Sequence, residues 1–228
     1  MNNASQRPPG ATSGEALEAQ PAPAPITPVA LRQEHVEGAR LFAEWHDMVR
    51  GLGLPIGGVI AEVGVALGDF SEFLIQTLAP RKFVAIDIWT MHEWPEHWGQ
   101  PSEMLFQGKT HRAFYEHRFQ SRGDQVVIDA GLSYDALERF PDSYFDMIYV
   151  DAGHDYDNVR QDALVSARKI KPDGTLIFND YVMYDHLQRV EYGVVQAVNQ
   201  LVIDGDWRVV GFALNHNMFC DIAIRRPR

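Results

Sequence analysis

The chain has 228 residues, 46% hydrophobic and 22% charged, with 20 Lys and Arg against 31 Asp and Glu for a net charge of -11. That composition excludes a collagenous, coiled-coil or wholly disordered chain, and an acidic excess repels phosphate backbones and anionic lipid, so neither nucleic acid nor a membrane surface is an expected partner. A single cysteine, Cys220, excludes an intrachain disulfide and any cysteine-cluster metal site.

Residues 1–30 hold six of the 13 prolines, seven alanines and only Arg7, Glu15 and Glu18 as charges, with no aromatic residue. Such a segment cannot bury enough apolar surface to offset its ordering entropy, and it reads as a flexible Pro/Ala tail, with a partner-binding arm as the alternative. It carries no basic-then-apolar signal pattern, and no apolar run in the chain approaches ~18 residues, so a cytoplasmic protein is the expectation. Removing the tail leaves 19 basic and 29 acidic residues on 31–228, so the acidity belongs to what reads as one folded domain.

From residue 31 the apolar spacing alternates between helical and strand periods. Val36, Ala39, Leu41, Phe42, Trp45 and Val49 form a stripe that predicts a helix over 31–52, ended by the glycines of 51–58. The run 59–63 predicts a strand, 64–68 a glycine-bearing turn and 71–78 a helix. Strands are predicted at 83–86, 126–128, 147–150 and 175–178, with helices over 110–120, 134–140, 157–170 and 194–203. Lys171, Pro172, Asp173 and Gly174 stop the helix before 175, and a tight turn at Asn215, His216 and Asn217 joins two last strands at 207–214 and 219–225.

Short buried-type strands alternating with helices call for a parallel sheet covered on both faces, and the closing pair is too tightly connected to be anything but antiparallel. The expectation is a doubly wound, Rossmann-like α/β domain with a seven-stranded, mostly parallel sheet and an antiparallel C-terminal strand. Ligands of such sheets bind outside the carboxyl ends of the strands, which directs attention to the residues just after each one.

After the first strand stand Glu62, Gly64, Val65, Ala66, Gly68 and Ser71. Glycines at 64 and 68 let the backbone turn close past a ligand and open a helix, and Asp87 at the tip of the second strand can accept from two ribose hydroxyls. Ala66 stands where a nicotinamide fingerprint needs its second glycine, which favours a nucleoside without a pyrophosphate. A nucleotide-dependent oxidoreductase on the same sheet is the reading this disfavours.

The pattern Glu62-x-Gly64-x-x-x-Gly68 with Asp87 resembles motif I and the acidic loop of class I S-adenosylmethionine-dependent methyltransferases, over roughly residues 55–225. By that resemblance Glu62 and the Gly64–Gly68 backbone, Val65 included, lie against the methionine part of the cofactor, Asp87 at the ribose and Ser133 near adenine, with Ser71 and Ile88 as further cofactor-binding candidates. Asp129 is an adenine-side candidate that could equally form a turn.

After the fourth strand comes Val150-Asp151-Ala152-Gly153-His154, and Asn179-Asp180 ends the fifth. Oxygen donors at adjacent strand ends suit Mg²⁺ or another hard divalent cation rather than zinc. Asp151, Asn179 and Asp180 thus resemble the metal site of catechol-type and of macrolide- and sugar-modifying O-methyltransferases, although the catechol type has its last two ligands in the order Asp then Asn. Alternatively, Asp180 is a helix cap or loop carboxylate and Asp151 a cofactor contact only. His154 stands three residues after Asp151, where the catechol type places its catalytic lysine, and a neutral imidazole there can take the proton of an acceptor hydroxyl. The bland alternative is a loop histidine with no role.

Residues 89–99 hold three of the five tryptophans, Trp89, Trp94 and Trp98. They suit stacking on a ring or sugar at the mouth of the site, or equally packing on the domain or on the partner in a homodimer. A second metal site from His92, Glu93, Glu96 and His97 fits no standard spacing. The expectation is O-methylation of a small-molecule hydroxyl, on a natural-product sugar or phenol, with S-adenosylmethionine and a divalent cation. A metal-independent enzyme is the nearest alternative, and a non-enzymatic protein that only binds the cofactor the most distant.

Overall fold

The computed structural model describes residues 28–227, so the Pro/Ala-rich stretch lies outside the described residues except for its last three positions. The strands, in chain order, are β1 (Arg40–Phe42), β2 (Val59–Val63), β3 (Lys82–Asp87), β4 (Glu96–His97), β5 (Gln100–Pro101), β6 (Val126–Ala130), β7 (Phe145–Val150), β8 (Ile170–Phe178), β9 (Tyr184–Asp185), β10 (Val190–Glu191), β11 (Arg208–Ala213) and β12 (Asp221–Arg225). The helices are α1 (Gln33–Val36), α2 (Trp45–Gly51), α3 (Asp69–Leu78), α4 (Ser102–Leu105), α5 (His111–Phe119), α6 (Ser133–Glu138), α7 (Tyr156–Lys169) and α8 (Val194–Asp204).

Eight strands make one sheet in the order β1-β11-β12-β8-β7-β2-β3-β6. Only β12 runs against its neighbours, pairing antiparallel with both β11 and β8. Strands β4/β5 and β9/β10 are small separate hairpins. All five residues of β2 are buried, as a strand covered on both faces must be. Alternation sorts them: Val59, Ala61 and Val63 face the core under α6, α7 and α8, while Ile60 faces the one under α2, α3 and α5. On α3, Leu74, Ile75 and Leu78 meet that second core, each contributing about 1.5–3 kcal/mol by burial.

The α/β architecture and the antiparallel closing strand follow the sequence expectation, with two differences. Residues 31–52 are not one helix: Gly38, at φ 80, breaks the stripe after α1, and β1 then pairs parallel with β11 as an eighth strand. The Asn215 side chain accepts from Trp45 N at 2.9 Å at the start of α2, so a tertiary partner decides the local structure. The second difference is at β8, which begins at Ile170. The sheet tolerates Lys171 to Gly174 as a register shift, Phe145 facing Ile170 but Met147 facing Thr175.

The chain leaves β2 for β3 on one side and returns through β7 on the other. The crevice between β2 and β7 at their carboxyl ends is therefore the topological switch point where this class of sheet binds ligands.

Candidate active site

At the end of β2 the backbone passes so close to β7 that a Cβ on Gly64 would lie 1.8 Å from the Asp151 carbonyl oxygen. Gly64 sits at φ 82, so both conformation and space demand glycine there. Its N–H donates to Ile86 O at 2.8 Å while Asp151 N donates to Val63 O at 2.7 Å, which locks the tips of β3, β2 and β7 together. Gly68 has another reason to be glycine. A Cβ there would meet Phe119 at 2.8 Å and Tyr115 at 2.9 Å, so it lets α5 pack on the turn and does not face a ligand.

Asp87 closes the turn from the β3 side, accepting from Val65 N at 3.0 Å and Trp89 N at 2.8 Å, one bond on each oxygen. A carboxylate oxygen has a second lone pair, so both can still accept from a ligand hydroxyl. With Gly64, Ala66, Ile88, Gly131, Leu132, Ser133, Asp151 and Gly153 it lines a cavity of about 480 Å³. Two lining residues, Met91 and Asn158, carry no motif that would single them out in the sequence.

Besides Gly68, four residues expected at this cavity lie elsewhere. Glu62 is buried behind it, accepting from the Ser71 hydroxyl, which in turn accepts from Tyr115 OH at 2.8 Å. Burial pushes the Glu62 carboxyl well above its ordinary range, with the Ser71 bond opposing and Asp151 and Asp87 adding to the rise. Val65 reaches the site only through its N–H. Asp129 lies within β6, accepting from its neighbour Ala130 N at 2.8 Å and lying 3.4 Å from Arg139. His111, which belongs to no sequence motif, is fully buried between Ala66 O, at 2.6 Å, and Asp87 Oδ1, at 3.8 Å. No spacing rule could have found it, because the contact crosses from α5 to the β2 turn.

A second cavity, of about 770 Å³, adjoins the first, and Asp151 and Trp98 line both. His154, Asn179, Asp180 and Tyr192 form its floor. The His154 ring stacks on Tyr192 with centroids 4.5 Å apart and planes at 11°, and His154 O accepts from Gly193 N at 2.7 Å. This places Nε2 3.5 Å from Asp151 Oδ1 and 3.5 Å from Asp180 Oδ2. Burial by itself would lower the imidazole pKa. The two carboxylates, with Asn179 adding to their effect, outweigh it and raise the pKa. Burial likewise raises Asp151, against the pull of His154, and pushes Asp180 up to about 7, helped by repulsion from Asp151. The three groups lie close enough to form one acid–base centre whose protons titrate as a set.

Asn179 is tied from behind, its amide N donating to Asp221 Oδ1 at 3.1 Å and to Tyr149 OH at 3.3 Å. Asp221 also accepts from Tyr149 OH at 2.6 Å, and burial pushes its pKa up to about 8. The Asp151 and Asp180 carboxylates do converge, but on the His154 nitrogen. Among the described residues no group of three or more His, Cys, Asp or Glu side chains is arranged to hold a metal ion. As arranged, Asp151 and Asp180 face the His154 imidazole, and the divalent cation expected from the sequence finds no such group here or at His92, Glu93, Glu96 and His97.

The tryptophan cluster splits in two. Trp89 is core, packing on His111 and Tyr115 and donating from Nε1 to Asp129 O. Trp94 and Trp98 are 66% and 69% exposed and both face the second cavity.

Residues 61–181, from the middle of β2 to just past Asp180, match a family described as a methyltransferase domain. The chain belongs to that methyltransferase family. No curated protein matches it in sequence. Similar solved structures include an S-adenosylmethionine-dependent methyltransferase from Aquifex aeolicus, at 14% identity and TM-score 0.52 over 78% of this chain and 87% of that one. The precorrin-6y C5,15-methyltransferase of Geobacter metallireducens has 14% identity and TM-score 0.55 over 80% and 87%. The Burkholderia thailandensis 1,6-didemethyltoxoflavin-N1-methyltransferase, solved with S-adenosylhomocysteine, has 13% identity and TM-score 0.55 over 80% and 76%. These likenesses establish the class I S-adenosylmethionine-dependent methyltransferase fold for this methyltransferase. No helix among its described residues is long and apolar enough to cross a membrane.

Proposed function

We propose that this methyltransferase moves a methyl group from S-adenosylmethionine, held in the first cavity, to a hydroxyl of a small molecule held in the second, with His154 as general base. One observation carries the reading: the two cavities meet at Asp151, and His154 stands on the far side of that junction. The cofactor supplies an electrophilic methyl on a sulfonium. Asp87 accepts from the ribose hydroxyls, the Gly131 to Ser133 segment borders the base, and the Gly64 turn offers backbone without a side chain in the way. The Asp151 carboxylate favours a cationic sulfonium beside it.

In the second cavity His154 Nε2 takes the hydroxyl proton as the oxygen bonds to the methyl carbon and the carbon–sulfur pair leaves with sulfur. Asp151 and Asp180 stabilise the imidazolium so formed, and Tyr192 fixes the ring plane. No divalent cation is part of this reading, because the imidazole occupies the place between the two carboxylates. His154→Ala tests it: turnover should fall by about 10²–10⁴-fold, the usual worth of a positioned base, with S-adenosylhomocysteine affinity by calorimetry changed less than threefold. Full activity in that variant would remove His154 from the chemistry.

A further inference from the structure

The second cavity carries more information about its occupant than the hydroxyl chemistry alone. Its wall presents the carboxylates of Glu44, Glu96, Asp151, Asp180 and Asp185, and among the described residues no lysine or arginine lines it. Only part of that charge is answered internally. His154 sits between Asp151 and Asp180, and Glu44 has the exposed His216 at 3.5 Å. Asp185 spends its oxygens on Leu187 N, Gln188 N and Tyr192 OH and so stays charged. Glu96 makes no salt bridge among the described residues. Above these carboxylates stand the exposed faces of Trp94 and Trp98. An anionic acceptor would meet these carboxylates with no lysine or arginine to receive it, whereas a cation gains from them and from the negative faces of the indoles.

We infer that the acceptor is a hydroxylated ring bearing a protonated amine: Trp94 and Trp98 take the ring face, and Glu44 and Glu96 at the mouth take the ammonium, while the hydroxyl is directed to His154. The inference rests on the methyltransferase reading for the hydroxyl's fate, but the charge preference of the cavity can be measured without turnover.

The test is a tryptophan-fluorescence titration of the full chain, saturated with S-adenosylhomocysteine, using three six-membered sugars. They are glucosamine as the ammonium, N-acetylglucosamine as its neutral counterpart and glucuronate as the anion. Glucosamine should half-saturate at a concentration at least roughly fivefold below N-acetylglucosamine, as cation–π and carboxylate attraction at a part-exposed site imply, and glucuronate should not saturate. In Glu44→Gln/Glu96→Gln, two changes at the cavity mouth, the preference should fall below roughly twofold with cofactor affinity kept. Equal or absent responses to all three sugars, tighter binding of N-acetylglucosamine or glucuronate, or an undiminished preference in the double variant would each overturn the inference. Calorimetry with S-adenosylhomocysteine alone separates the two readings: its failure to bind sinks the methyltransferase assignment, while the sugar series, repeated without it, still reports on the cavity's charge.

Discussion

Asp180 should act against stability while serving activity, and Asp180→Asn separates the two. The carboxylate is 17% exposed, and burial with repulsion from Asp151 pushes its pKa from 3.8 up to about 7. At ~1.36 kcal/mol for each pH unit, that displacement corresponds to at most about 4 kcal/mol of preference for the protonated form in the folded chain. The folded pKa is raised, so the cost is absent below about pH 4, grows as pH rises toward 7 and is constant above it. Asp180→Asn keeps the shape and removes the titration. Urea unfolding should show the variant gaining about 2 kcal/mol on the wild type between about pH 5 and pH 8, the shared titration with His154 trimming the full value. Turnover should fall, and the acidic limb of its pH profile should move to lower pH, because His154 loses one of the two carboxylates that raise it. A stability difference that does not change with pH would refute the reasoning, since it would mean that Asp180 is charged at no cost in the fold.

Asp87→Asn should weaken S-adenosylhomocysteine binding by about tenfold in calorimetry, since one oxygen that accepts from a ribose hydroxyl becomes a donor; unchanged affinity would take Asp87 out of the pocket. Gly64→Ala should cost at least about 1–2 kcal/mol in thermal unfolding from the left-handed backbone alone. It should also abolish cofactor binding, because the new Cβ overlaps Asp151 O; normal binding would show that the turn relaxes freely. Dialysis against a chelator should leave turnover unchanged, and Mg²⁺ added back should do nothing; a loss restored by Mg²⁺ would show that a cation displaces His154 from between the carboxylates.

What could be read from the sequence was what depends on local pattern. Buried apolar runs gave the strand positions, and the residues just after them, Gly64, Asp87, Ser133, Asp151, His154 and Asp180, do reach the two cavities. Gly68, Glu62 and Ser71 share that local motif, yet their roles are set by Tyr115 and Phe119, which arrive from α5. The β1 strand was hidden for a similar reason: its pairing partner, β11, lies far along the chain, and only that partner turns a helical spacing into an extended segment. The surroundings of the expected ligand set were not legible, because Asn179 donates to Asp221 on β12, far along the chain. The residue types at 151, 179 and 180 were visible, but not that an imidazole would settle among them.

Trp98 has a consequence for the catalytic cycle. Its side chain is a wall of both cavities and is carried on the two-residue turn between β4 and β5. A ligand that orders this indole from one side spares the other ligand that entropy, so each should tighten the other by the same factor. The same linkage works against release. Under the proposed placement of cofactor and acceptor, demethylated cofactor should leave slowly while methylated acceptor still holds the indole in place, an order of departure with the acceptor first.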